Sequence, residues 1–142
     1  MTRYIKISVL FLTLSACGQN VTEMKTPENA NEKFAEFIAK KKFLTENYYP
    51  GIADEKMRPI FTKKINSVAF DFKSIAESEN PTDKKYQEKI KIGLSRFADV
   101  YMEMDTEDRE RVCTYFEQLM DIIELESSNR QLNKFMYGFD PN

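Results

Sequence analysis

Along most of the chain the apolar positions recur every three or four residues, the period of helices that bury one face and leave the other in water. Phe34, Phe37, Ile38 and Phe43 or Leu44 predict a first helix, from Glu28 or Asn31 to Leu44. Phe61, Ile65, Val68, Phe72 and Ile75 predict a second over roughly 55–79, with Pro59 in its first turn, where a missing N–H costs nothing. Phe70 falls off that stripe, toward the opposite side. Asn80-Pro81 predicts an N-cap and a third helix reaching Met104 through Tyr86, Ile90, Leu94, Phe97 and Tyr101. A fourth is predicted from Asp105-Thr106 to about Ser127, with Glu107, Asp108 and Glu110 at the positive end of its dipole. Its apolar set, from Val112 and Cys113 through Tyr115, Phe116, Leu119 and Met120 to Leu125, is broad enough to imply contact with more than one neighbour. A shorter fifth helix, about 128–137, carries Leu132, Phe135 and Met136, and Gly138 is placed to end it in a left-handed cap.

The connections between these segments are short around 78–81 and 104–106, which favours antiparallel neighbours. The expected fold is all-α: an up-and-down bundle of four main helices plus a short C-terminal helix, occupying residues 32–142. Gly93, beside the third stripe, marks either a close approach of another helix or a glycine that is merely tolerated. Lys40, Lys41 and Lys42 suit the negative end of the first helix and are expected to be solvated.

The N-terminus departs from this pattern. A basic stretch with Arg3 and Lys6 precedes an apolar run from Ile7 to Leu14 and the small residues Ser15-Ala16, the three zones of an export signal over residues 1–16. The run falls well short of the roughly 20 residues that span a bilayer as a helix. The tetrapeptide Leu14-Ser15-Ala16-Cys17 resembles the lipobox of bacterial lipoproteins. The resemblance implies cleavage between Ala16 and Cys17, diacylglycerol on the Cys17 thiol and acylation of the new amino terminus, giving a membrane partner through lipid. Gly18 and Gln19 follow without an inner-membrane retention aspartate, so the resemblance places the protein at the outer membrane, facing the periplasm. Residues 17–31 are polar after the cysteine and are expected to form a flexible tether.

Composition narrows the chemistry. The 142 residues hold 21 basic and 23 acidic side chains, and removing residues 1–16 leaves 19 against 23, so no overall charge draws the chain to nucleic acid. With Cys17 lipidated, Cys113 is the one thiol left, expected to be buried and structural. No histidine is present, which excludes serine or cysteine triads that rely on imidazole, and di-iron sites of the Glu-x-x-His kind. Glycines at 18, 51, 93 and 138 are too scattered for a phosphate loop. The acidic run from Asp105 fails as a calcium loop, since Glu110 and Phe116 stand where glycine and glutamate are required. No cofactor, metal or catalytic residue is expected, and no enzyme.

Two aromatic turns are candidate contact surfaces, Tyr48-Tyr49 before Pro50-Gly51, and Tyr137 with Phe139 around Gly138. The same residues could instead close the open end of a bundle. Through Tyr-Tyr-Pro-Gly and Gly-Phe-Asp-Pro the domain is similar to small helical domains of uncharacterised bacterial lipoproteins, a resemblance that implies no activity. Two functions follow as expectations: an envelope binding or accessory module with a protein partner, or a periplasmic immunity or inhibitor protein that blocks a toxic enzyme.

Overall fold

The computed structural model describes residues 21–138, so the signal segment, Ala16, Cys17 and Phe139 lie outside it. The five periodic segments form helices: α1 (Ala30–Ala39), α2 (Arg58–Ala76), α3 (Asp83–Ser95), α4 (Thr106–Ile122) and α5 (Gln131–Tyr137). Together they make an all-α bundle of four main helices with a short fifth. The second stripe, Phe61 to Ile75, is buried throughout, and α2 packs against α1, α3 and α4. The broad apolar face of α4 is divided between α1, α2 and α5, as its width implies. Among the described residues no helix is long and apolar enough to cross a membrane.

The helices are shorter than their stripes because local polar groups stop them. Asn80-Pro81 does not cap α3; Thr82 does, with its hydroxyl accepting from the Lys85 amide at 3.3 Å. The stripe then outlives the α-helix, and Phe97 and Met104 are buried at the two ends of a separate 3₁₀ segment, Ala98–Glu103. Asp105 caps α4 by accepting from the Asp108 amide at 2.8 Å, and Glu124, at φ 57°, turns the chain out beyond its end. Gly138 takes φ 73° and closes α5 in the left-handed region.

Rings link these elements. An edge-to-face series runs from Phe37 on α1 through Tyr115 and Phe43 to Phe61, Phe97 and Phe135, with centroids 5.1–6.1 Å apart. Gly93 is a point of close approach: a Cβ there would lie 2.7 Å from Val68 Cγ2 and 2.9 Å from Phe116 Cζ.

The tether is shorter than expected. Thr22 donates its amide to Asp83 Oδ1 at 3.0 Å, Met24 donates to the Pro81 carbonyl at 2.9 Å, and the Thr26 hydroxyl donates to the Ala76 carbonyl at 3.0 Å. Residues 22–26 therefore form a strap across the α2–α3 connection. Pro81 supplies an acceptor that no helix uses, and the Met24 amide satisfies it.

Lys42 also departs from the expectation of a solvated lysine cluster. α1 ends at Ala39, and Lys42 folds back beneath it, 2 % exposed, donating to the carbonyls of Phe37 at 2.5 Å and Lys40 at 3.1 Å. Its ammonium also lies 4.4 Å from the centre of the Phe37 ring. The side chain thus satisfies carbonyls that the helix end leaves open. Burial, and then the nearby charge of Lys40, hold its pKa down to about 8. Because the folded value lies below the unfolded value of about 10.4, this group's contribution to stability is lost as pH falls through 8. Raising pH from 8 to 10 is expected to stabilise the wild type relative to Lys42→Met, as measured by thermal unfolding of both proteins across that range.

Candidate functional site

Among the described residues the segment between α1 and α2 is the longest outside the α-helices, and it crosses the N-terminal half of α4. Its tip is a tight turn in which Glu46 and Tyr49 exchange both backbone hydrogen bonds, at 3.1 and 2.9 Å. Asn47 at the tip takes φ 52°, a conformation asparagine accepts readily, and Gly51 takes φ 94°. The Thr45 hydroxyl closes the loop by donating to the Pro50 carbonyl at 3.0 Å.

Three contacts hold this loop to α4. Tyr49 donates its hydroxyl to Asp108 Oδ1 at 2.5 Å, in a setting where Tyr49 is 6 % and Asp108 1 % exposed. Arg111 covers the Tyr49 ring, 4.6 Å from its centre, and donates to the Glu46 carbonyl at 3.2 Å and to Glu46 Oε2 at 3.4 Å. The Tyr115 hydroxyl accepts the Phe43 amide at 2.8 Å, and the Phe43 carbonyl takes the Ile52 amide at 3.2 Å and Arg58 Nη1. Phe43 sits at φ 59°, unusual for a bulky residue, and these bonds keep it there.

Burial raises the pKa of Tyr49, and the adjacent Asp108 carboxylate raises it further. Burial raises Asp108 as well, against the opposing effect of the Tyr49 hydroxyl. The Ala53 amide lies close enough to favour the ionised form but completes no hydrogen bond to Oδ2, which is buried without one. Both side chains are almost wholly buried, and their bond pins the loop to α4.

The loop presents Tyr48. That side chain is fully exposed at the rim of a pocket of about 240 Å³ lined by Asn47, Tyr49, Glu107, Glu110, Arg111 and Thr114. The two candidate tyrosines thus separate: Tyr48 is a surface residue, whereas Tyr49 is a core anchor, correcting its expected place on a contact surface. Adjacent side chains in an extended turn point to opposite sides, and only one can face α4. Tyr137 is more than half exposed on α5, while Phe135 and Met136 beside it pack against the core, and none of the three lines the Tyr48 pocket.

Sequence reasoning missed Asp108 and Arg111. The signal was present: Asp108, Arg111 and Tyr115 are spaced three and four apart, so one polar-aromatic line runs along α4 beside its apolar stripe. Cys113 is buried as expected, and burial pushes its thiol up to about 12, which leaves it unreactive. Among the described residues no group of three or more acidic, cysteine or histidine side chains could hold a metal ion.

A family model described as a domain of unknown function, DUF4844, matches residues 25–140. The chain is also similar to the crystal structure of a DUF3571 family protein from Acinetobacter baumannii AYE, with 31 % identity and a TM-score of 0.71 over 77 % of this chain and 89 % of that one. No curated protein matches the chain.

Proposed function

The chain belongs to the DUF4844 family of domains of unknown function, and from that premise we propose that it is a lipid-anchored envelope module that recognises a protein partner through Tyr48 without catalysis. The observation that carries this reading is the contrast between Tyr48 and its support. A large aromatic side chain stands fully in water at the tip of a loop held by the Tyr49–Asp108, Arg111–Glu46 and Tyr115–Phe43 contacts. A loop ordered in advance gives up little entropy on binding, and a tyrosine beside a small polar pocket offers area and a hydrogen-bonding tip together. The lipobox-like Leu14-Ser15-Ala16-Cys17 supports the anchor. Lipid on Cys17 would hold this surface near other envelope proteins, where a raised local concentration helps weak contacts.

The test uses the full-length protein expressed with its own leader. Cys17→Ser is expected to move it from the membrane to the soluble fraction and to remove the acyl mass from its mature amino terminus; unaltered partitioning would end the anchor reading. Tyr48→Ala is expected to abolish capture of a partner that the wild type retains, with thermal stability unchanged because the ring touches so little. Equal capture by both proteins, or a fall in melting temperature with capture intact, would count against Tyr48 as the recognition residue.

A further inference from the structure

A second surface is unlike the rest of the molecule. Between the segment after α1 and the exposed side of α2, Leu44 and Phe70 line a shallow groove of about 570 Å³ together with Pro59, Thr62 and Asn66. Phe70 is 56 % exposed and Leu44 45 %, and Ile60, 42 % exposed, lies in an adjoining hollow that shares Lys63 with the groove. This is apolar surface that the bundle leaves uncovered. Lys41 and Lys63 also line the groove, and neither has a carboxylate partner among the described residues. Beneath them the Lys42 ammonium bonds only to carbonyl oxygens. Two exposed lysines without counter-ions thus flank an apolar floor, beside a further lining cation, Arg58, that is paired with Glu55, on a chain that carries 19 basic against 23 acidic residues beyond position 16.

An apolar floor with a basic rim complements an amphiphile whose head is negative. The length of chain before the strap decides which one. Thr22 is fixed to Asp83, so at most five peptide steps separate Cys17 from the folded domain, a span of about 18 Å when fully extended. The strap grips the C-terminal end of α2 at Ala76, and Phe70 lies only six residues before it, about 9 Å along the helix axis. A domain on so short a leash stays close to the headgroups, and α2 can lie along them with its uncovered side down. The groove and the Tyr48 pocket share no lining residue, so one can face lipid while the other stays free.

We propose that the face carrying Lys41, Leu44, Ile60, Lys63 and Phe70 docks on an anionic phospholipid surface, with the apolar side chains entering the headgroup boundary and the two lysines on lipid phosphates. The proposal rests on the lipid anchor at Cys17. Docking fixes the orientation of the domain, which a flexible leash alone would leave free, and electrostatic attraction to anionic lipid adds to apolar burial.

The chain has no tryptophan, so Phe70→Trp introduces a single fluorophore at an exposed position. The lipidated protein is bound to vesicles of phosphatidylglycerol with brominated acyl chains. Emission from Phe70→Trp is expected to shift to the blue and lose most of its intensity, whereas Tyr48→Trp keeps the emission it has in water. Phosphatidylcholine vesicles, or salt of about 0.5 M, should restore the emission at position 70. Lys41→Glu with Lys63→Glu should weaken the quenching contact by about tenfold or more. Protein that floats with the vesicles but stays unquenched at position 70 overturns docking and leaves the anchor intact. Protein that neither floats nor carries acyl mass overturns both. If position 70 is unquenched on vesicles while an acidic amphipathic peptide shifts its emission, the face binds protein and the lipid proposal falls.

Discussion

Gly93→Val is expected to destabilise the fold by about 3 kcal/mol or more, the upper part of the range for overpacked cores. Gly93 faces α2 and α4 at once, and a Cβ would meet Val68 Cγ2 at 2.7 Å and Phe116 Cζ at 2.9 Å. Neither neighbour yields easily: Val68 is stiff at χ1, and both side chains are fully buried. Gly93→Ala makes the same first contact but gains about 1 kcal/mol of helix propensity, so a net loss of about 1–2 kcal/mol is expected. Urea unfolding of the two variants gives both values. Adding Val68→Ala to Gly93→Ala should recover part of the loss, because the methyl that obstructs the new Cβ is then gone. Independent additive costs in that double variant would show that the glycine is tolerated rather than required.

The second large effect is expected at Tyr49→Phe. The substitution changes no shape and removes one hydroxyl, yet it leaves Asp108 in the core with neither of its oxygens bonded to a side-chain donor. A loss of about 3 kcal/mol follows from the cost of stranding a buried charged acceptor. The pH dependence separates this cause from a packing defect. Asp108 already has a raised pKa in the folded protein, chiefly through burial, and the Tyr49 hydroxyl opposes that rise. A carboxyl group whose folded value is raised contributes stability that is present below its unfolded pKa of about 3.9 and is lost as pH rises through the folded value. Removing the hydroxyl raises the folded value further. The deficit of Tyr49→Phe relative to wild type should therefore be largest near neutral pH and shrink as pH is lowered toward 4, in chemical unfolding at each pH. A deficit independent of pH would place the cost in the ring rather than in the carboxylate.

Both sites show what a single sequence can and cannot convey. The stripes of α2 and α4 were legible because burial on a helix repeats with the helix: Phe61 to Ile75 and Val112 to Leu125 lie where their spacing puts them. Gly93 was legible only as an alternative, since the spacing says which helix it belongs to and not what crosses it. Where the stripes stop being α-helix was not legible. The third stripe continues through a 3₁₀ segment with the same apolar positions buried, and apolar periodicity cannot tell the two apart over six residues. The buried polar groups were hidden for a different reason. Lys42 and Tyr49 look like surface residues until a carbonyl or a carboxylate is placed beside them, and the Asp108 that receives Tyr49 lies 59 positions away. The exposure of Tyr48 and the burial of Tyr49 could not be separated from adjacency alone, because both belong to one turn and only α4 decides between them. Phe70 was readable only as lying off the stripe, where it could either pack on the first helix or stand exposed, and the structure leaves it 56 % exposed.

The strap at residues 22–26 has a mechanical consequence. The folded domain stores a length of polypeptide there, fastened by a few hydrogen bonds and by Met24, which packs against the core. Pulled from its N-terminal side, this segment would peel bond by bond and release up to about 20 Å of extra chain before any helix bore the load. Under load the strap would thus yield before the four main helices, while at rest its bonds keep the leash at five peptide steps.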